Sequence, residues 1–246
     1  MRIVLPPSET KRPGGDGPPL DLDALAFPGL AGLRRQLIDE LGVLAGDTAA
    51  AIKALKLGAK GESLLLANRE LLTSPTMPAI TRYTGVVYDH LDYAGLDEAA
   101  TAHADGVIWV FSALFGLIRA TDQIPNYRLS ADSTLPGGKL SSRWGAVGKD
   151  IWPGEFTIDL RSEAYRQLAI LTEGSGVFVR MVTDGPAGRV SLGHRNKATK
   201  GKLVRHLVSS KAELGSVDDL VGWGSANGWT VEPIDGHPDE VWLVVL

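Results

Sequence analysis

The chain has 246 residues, enough for a large core, with 44% apolar and 22% charged residues and a formal net charge of −4. A mildly acidic chain has no global attraction to nucleic acid or to an anionic membrane, so any polyanion must be met by a local patch. The absence of cysteine excludes disulfides, thiolate metal sites and thiol-based peroxide chemistry.

Arg2 to Leu5 reads as a short buried strand stopped by Pro6 and Pro7, and the Pro/Gly-rich segment 12–19 as a loop. From about 22 to 74 the pattern is helical, with Leu33, Leu37, Ile38, Leu41 and Leu44 at helical spacing. Asp47 or Thr48 caps a second helix that runs to about Leu57, and a third follows from Glu62 to Leu72. Residues 79–88 read as a strand bent at Gly85, and Val107 to Phe111 as a core strand. Phe156 to Leu160 is a further strand, followed by a helix from Ser162. Val177 to Thr183 and Arg189 to Leu192 flank DGPAG as a hairpin. Helices near 199–212 and 217–224 precede a last pair of strands, 229–233 and 241–246. The expected fold is α/β (mixed α+β): a single compact domain, 1–246, with a mixed central sheet behind a helical N-terminal third. The N-terminus offers no signal-peptide core, and the apolar run at 107–118 is too short to span a membrane. A soluble cytoplasmic protein without membrane contact is expected.

Charge is segregated along the chain. Between Asp184 and Glu213 lie seven Lys or Arg residues and no acid. If Thr199 caps a helix, Leu203, Val204, Leu207 and Val208 form its apolar face, with Lys202 and Arg205 toward solvent. Lys200 and Lys202 would then sit in a first turn that is already positive, which suits an anion at that terminus. Gly201 would admit a phosphate close to the backbone. The alternative is a solvated basic helix face that aids solubility.

Other positions carry paired readings. LKLGAKGESLLL, 55–66, brings two helices to a Gly-containing turn where Lys60 could meet a nucleic-acid phosphate; an ordinary turn with a glycine C-cap at Gly58 or Gly61 is the reading that sequence alone favours. Arg119, Asp122, Tyr127 and Arg128 follow a buried strand, where α/β proteins gather functional groups, or else they pair and pack locally. Asp159, near a strand end, and Glu163 are acid–base candidates; strand alternation also explains Asp159. Ser112 lacks the flanking glycines of a nucleophile elbow. The five histidines show no metal-ligand spacing, and no phosphate-binding glycine loop is present. No metal and no cofactor are expected, and binding is expected before catalysis.

Taken in order, VVYDHL, FSALFGLIRATDQIPNYRL, WG at 144–145, IDLRSEAY and KATKGKLVRHLV resemble the YaaA family of peroxide stress proteins. The specific block runs from Ser112 to Arg128. The resemblance implies a compact cytoplasmic α/β protein with a helix-hairpin-helix-like element. It also implies binding to duplex or branched DNA and protection of DNA during peroxide stress. By matching position, Tyr127 and Arg128 correspond to the family's Tyr-Arg. Lys197, Lys200, Gly201 and Arg205 correspond to its basic block, with Lys200 where the family usually has Arg. The chain departs from the family's S-P-A-K-T opening with Pro6-Pro7-Ser8-Glu9-Thr10, and Lys11 is displaced by two. On this reading Lys60, Arg128, Arg195, Lys197, Lys200, Gly201, Lys202 and Arg205 contact DNA phosphates. The other reading is an enzyme for a phosphorylated or anionic small molecule, in a pocket of Thr10, Ser112, Tyr127, Arg128, Asp159 and Lys197.

Overall fold

The computed structural model describes residues 1–57, 61–152, 154–186, 188–193 and 195–245; the side chains of Glu62, Ser63 and Arg195 are outside that description. Its main sheet contains β1 (Arg2–Leu5), β2 (Ile108–Ser112), β3 (Gly116–Arg119), β4 (Thr157–Asp159), β5 (Gly176–Gly185), β6 (Gly188–Ser191), β7 (Thr230–Ile234) and β8 (His237–Val244). The order is β7-β8-β5-β4-β1-β2-β3, with β6 beside β5. The central pairs β1–β2, β1–β4, β4–β5 and β5–β8 are parallel. β2–β3, β5–β6 and β7–β8 are antiparallel. β1 and β2 are buried at every residue, which is why RIVL and IWVFS read as continuous apolar runs rather than alternating ones.

The helices are α1 (Ala31–Gly46), α2 (Thr48–Ala54), α3 (Gly61–Arg69), α4 (Ala79–Arg82), α5 (Val86–Leu91), α6 (Glu98–Val107), α7 (Leu140–Val147), α8 (Glu163–Arg166), α9 (Arg195–Ser209) and α10 (Val217–Ala226). The mixed α/β architecture is the one expected. Asp47 caps α2 as its sequence position predicts, accepting from the Ala50 N–H at 3.0 Å. Among the described residues no helix is long and apolar enough to cross a membrane.

Three expectations are corrected. Residues 79–88 form α4 and the start of α5, not a strand; Gly85 breaks them apart at φ 99°. The alternating apolar pattern is overridden by tertiary packing, because Arg82 is buried and donates to the Ile124, Arg12 and Pro75 carbonyls. Arg119, expected in the segment after a buried strand, lies on a strand itself, β3, antiparallel to β2. Finally, α9 begins at Arg195, so Thr199 is a buried position inside the helix and Lys200 falls in its second turn.

One feature of the sheet creates a site. On one edge of β5, Phe178 pairs with Glu240 and Val182 with Val244 of β8. On the opposite edge, β4 ends its pairing at Phe178 and β6 begins at Val182. The sheet therefore opens between β4 and β6 alongside Val179 and Arg180, while the Met181 carbonyl still accepts from the Leu192 N–H at 3.3 Å.

Candidate functional site

A cavity of about 710 Å³ fills this opening. Its walls are the turn after β1 (Pro6 to Thr10), the entry to α5 (Thr84 to Tyr88), and the segment after β4 (Arg161, Ser162, Glu163, Tyr165). The open edge of β5 and the first two turns of α9 complete it. β1 and β4 are parallel, and the cavity lies just beyond their carboxyl ends, where open α/β sheets place ligands.

α9 supplies the cations. Lys197 and Lys200 both line the cavity, one turn apart, Lys197 exposed and Lys200 buried. The Lys200 ammonium donates to the Arg161 main-chain oxygen at 3.0 Å. Among the described residues no carboxylate bonds to either lysine. Burial above all, and then the nearby Lys197 charge, bring the Lys200 pKa down to about 8, against the opposing pull of Asp159. The Asn196 Oδ1, in the same wall, is buried without a hydrogen-bond partner among the described residues.

The expected catalytic carboxylate is held elsewhere. Asp159 is buried and accepts from the Arg161 Nη2 at 2.7 Å, from its Nε at 2.9 Å and from its backbone N–H at 3.0 Å. Arg161 also donates to the Tyr165 and Ala169 carbonyls and lies over the Phe111 and Trp152 rings. This pair fixes the chain after β4, presenting the Arg161 carbonyl to Lys200. Glu163 is exposed on the rim, within 3.6–3.8 Å of Arg180 and Arg166.

Behind the turn after β1 lies a closed hydroxyl chain. Ser112 Oγ is 2.7 Å from the Tyr127 hydroxyl, which is 2.8 Å from the Tyr83 hydroxyl, all three residues buried. The Lys11 ammonium stands 4.1 Å above the Tyr127 ring and donates to the Ser8 oxygen at 2.8 Å. Burial lowers its pKa to about 7. Lys11 thus folds back over the turn from which sequence displaces it, and this group was not among the site candidates.

The predicted residues do not gather in one place. Thr10, Lys197, Lys200 and Glu163 share the cavity. Ser112 and Tyr127 pack beneath it, and Arg128 pairs with Glu9 on its margin at 2.9 Å. Arg205 and Gly201 face α5: Arg205 donates to the Leu91, Asp92 and Gly95 carbonyls, and a β-carbon at 201 would run into the Val87 oxygen. Lys202 is exposed. Arg195 opens α9 with its side chain outside the described residues, as is the whole of Lys60, with Gly58 and Ala59, between α2 and α3. The predicted cluster is therefore not one continuous basic strip. Arg161, Arg180, Asn196 and Ser8 were missed; their signal was position, immediately after β1 or β4 or on the edge of β5. Among the described residues no group of three or more His, Asp or Glu is placed to hold a metal.

A family model described as peroxide stress protein YaaA matches residues 1–234. A UPF0246 protein of Corynebacterium efficiens is 40% identical over the whole of both chains. One from Corynebacterium glutamicum is 42% identical over the whole of both. A UPF0246 protein of Streptomyces coelicolor is 42% identical across 94% of this chain and 92% of its own.

Proposed function

The chain belongs to the peroxide stress protein YaaA family, and from that premise we propose that it serves peroxide defence by binding a phosphate-bearing anion in the cavity between α9 and β5. The observation that carries this reading is the pair Lys197 and Lys200, two neighbouring ammonium groups in one cavity with no carboxylate bonded to either among the described residues. Adjacent like charges in a partly desolvated site raise each other's energy, and an anion between them relieves both. The Asp159 charge favours the Lys200 ammonium, but its carboxylate is bonded to Arg161 and not to Lys200. The Asn196 acceptor, without a partner among the described residues, fits a ligand that also carries an N–H or O–H donor. The apolar side chains along the β5 edge would cover the remainder of such a ligand.

A second reading takes the phosphate from duplex or branched DNA, which the protein would then shield from oxidative damage. The exposure of Lys197 at the cavity and Lys202 further along α9 favours it. Such contacts would hold the backbone without reading bases.

Calorimetric titration with pyrophosphate, beside anisotropy of a labelled duplex and a labelled four-way junction across salt, separates the two. The cavity reading expects saturable pyrophosphate binding that leaves duplex affinity weak. Tight DNA binding with a log–log salt slope of several units, roughly 0.9 per phosphate contact, displaced by pyrophosphate, would transfer the site to DNA. No binding of any of the three would end both readings.

A further inference from the structure

We propose that Lys200 is a nucleophilic amine that condenses with the carbonyl carbon of an anionic aldehyde or ketone held in the cavity. The inference rests on the anion-site reading and adds a reaction to it.

The geometry meets the requirements of a reactive lysine. Lys200 is buried yet lines the cavity, so its Nζ is shielded from bulk water while a ligand can reach it. Its hydrogen bond is to a backbone oxygen, that of Arg161, which accepts from neutral amine and ammonium alike. A carboxylate bonded to it would hold the proton on; among the described residues none is, and Asp159, whose charge does favour the ammonium, is bound in the ion pair with Arg161. Lys197, a second cation on the same helix, further disfavours the ammonium. Desolvation together with an adjacent cation is the general route by which lysines become nucleophiles at neutral pH. The pKa of about 8 agrees with this arrangement, leaving about a tenth of the amine neutral at pH 7 and about half at pH 8.

The other charged or titratable groups around the cavity do not compete for the same proton. Glu163 and Arg180 sit together on the far rim, and Glu9 is paired with Arg128. Tyr165 keeps its phenol proton, because burial raises its pKa.

The step balances without a redox partner. The Nζ lone pair forms the N–C bond while the carbonyl π electrons move to oxygen, giving a carbinolamine after one proton passes from nitrogen to oxygen. The C–O bond then breaks, oxygen leaves as water with a further proton, and a C=N bond remains. Lys197 would hold the anionic group, leaving Lys200 for the carbonyl.

Pyridoxal 5′-phosphate is a suitable probe, since it carries an aldehyde and a phosphate. The protein is incubated with it near pH 8, reduced with borohydride and mapped by peptide mass spectrometry, with pyridoxal as the phosphate-free control. Lys200 should take at least about tenfold more label than any exposed lysine, given the difference between its pKa and the ordinary lysine value near 10.4. Pyrophosphate should suppress that label, and pyridoxal should label Lys200 far less. Lys200→Arg should lose the label at this position. Pyrophosphate binding with Lys200 unlabelled, or labelled no more than Lys202, would overturn the amine and leave the anion site standing. Loss of both would overturn the two together.

Discussion

Asp159 and Arg161 satisfy one another in a two-pronged ion pair with both side chains closed off from solvent, and the same arginine lends its main-chain oxygen to Lys200. A carboxylate this fully occupied is a structural clamp that positions a cavity wall. Asp159→Ala would strand the buried guanidinium and should lower stability by about 3–5 kcal/mol. Urea unfolding monitored by tryptophan fluorescence measures this. A variant of unchanged stability that fails only in ligand handling would restore Asp159 to the acid–base role assigned from sequence.

Lys200 ties stability to pH with a definite sign. Its folded-state pKa of about 8 lies below the ordinary value of 10.5. Between those values the unfolded chain holds more protons than the folded one, so this group makes stability rise with pH across the window. Below pH 8 the penalty of the buried charge is fully present. Lys11, lowered to about 7, contributes with the same sign from a lower starting pH. Lys200→Met should flatten the rise and add about 1 kcal/mol at pH 7, as removal of an uncompensated buried charge does. Urea midpoints between pH 6 and 10 test it.

Gly201 and Arg205 join α9 to α5. Gly201→Ala would push against the Val87 oxygen, His90 and Leu91, in backbone that has little room to move. A loss of about 2–3 kcal/mol is expected. Arg205→Glu would remove donors from the Leu91 and Asp92 carbonyls at the end of α5 and from the Gly95 carbonyl beyond it, and would bring a carboxylate to Asp92. It should destabilise by about 2–4 kcal/mol. A charge reversal at Arg205 that weakened ligand binding in a fully stable protein would contradict this structural role.

Tyr127→Phe tests the hydroxyl chain. It leaves the Ser112 and Tyr83 hydroxyls without their common partner. Ser112 still accepts from the Leu114 and Phe115 N–H groups, which limits the loss to about 1–2 kcal/mol. Thermal unfolding of Tyr127→Phe and Ser112→Ala, singly and together, should show less than additive losses, since both act on one network.

The buried strands and the long amphipathic helices were legible because their signals are local. β1 and β2 are apolar throughout, and α1 repeats its apolar residues at helical spacing. Asp47 marks the start of α2 through its own side chain. The segment 79–88 misled because Ile80, Tyr83, Val87 and Tyr88 are all core residues, while what decides their conformation is Gly85 and the contact of α5 with α9. The basic stretch was visible as composition, but composition does not tell which cations remain available. Arg205 and Lys200 look alike in sequence; one caps α5 and the other enters a cavity. The cavity itself exists because β4 and β6 share one edge of β5 without meeting, a register relationship between segments far apart in the chain.

The most direct test is the pyrophosphate affinity of the wild-type protein, Lys197→Met and Lys200→Met, measured by calorimetry at pH 7 and pH 9.5. With Lys197 and Lys200 as the anion site, each variant should lose at least about tenfold in affinity while remaining folded, and wild-type affinity should fall at the higher pH as Lys200 gives up its proton. Unchanged affinity in both variants, or binding that strengthens at pH 9.5, would contradict the account.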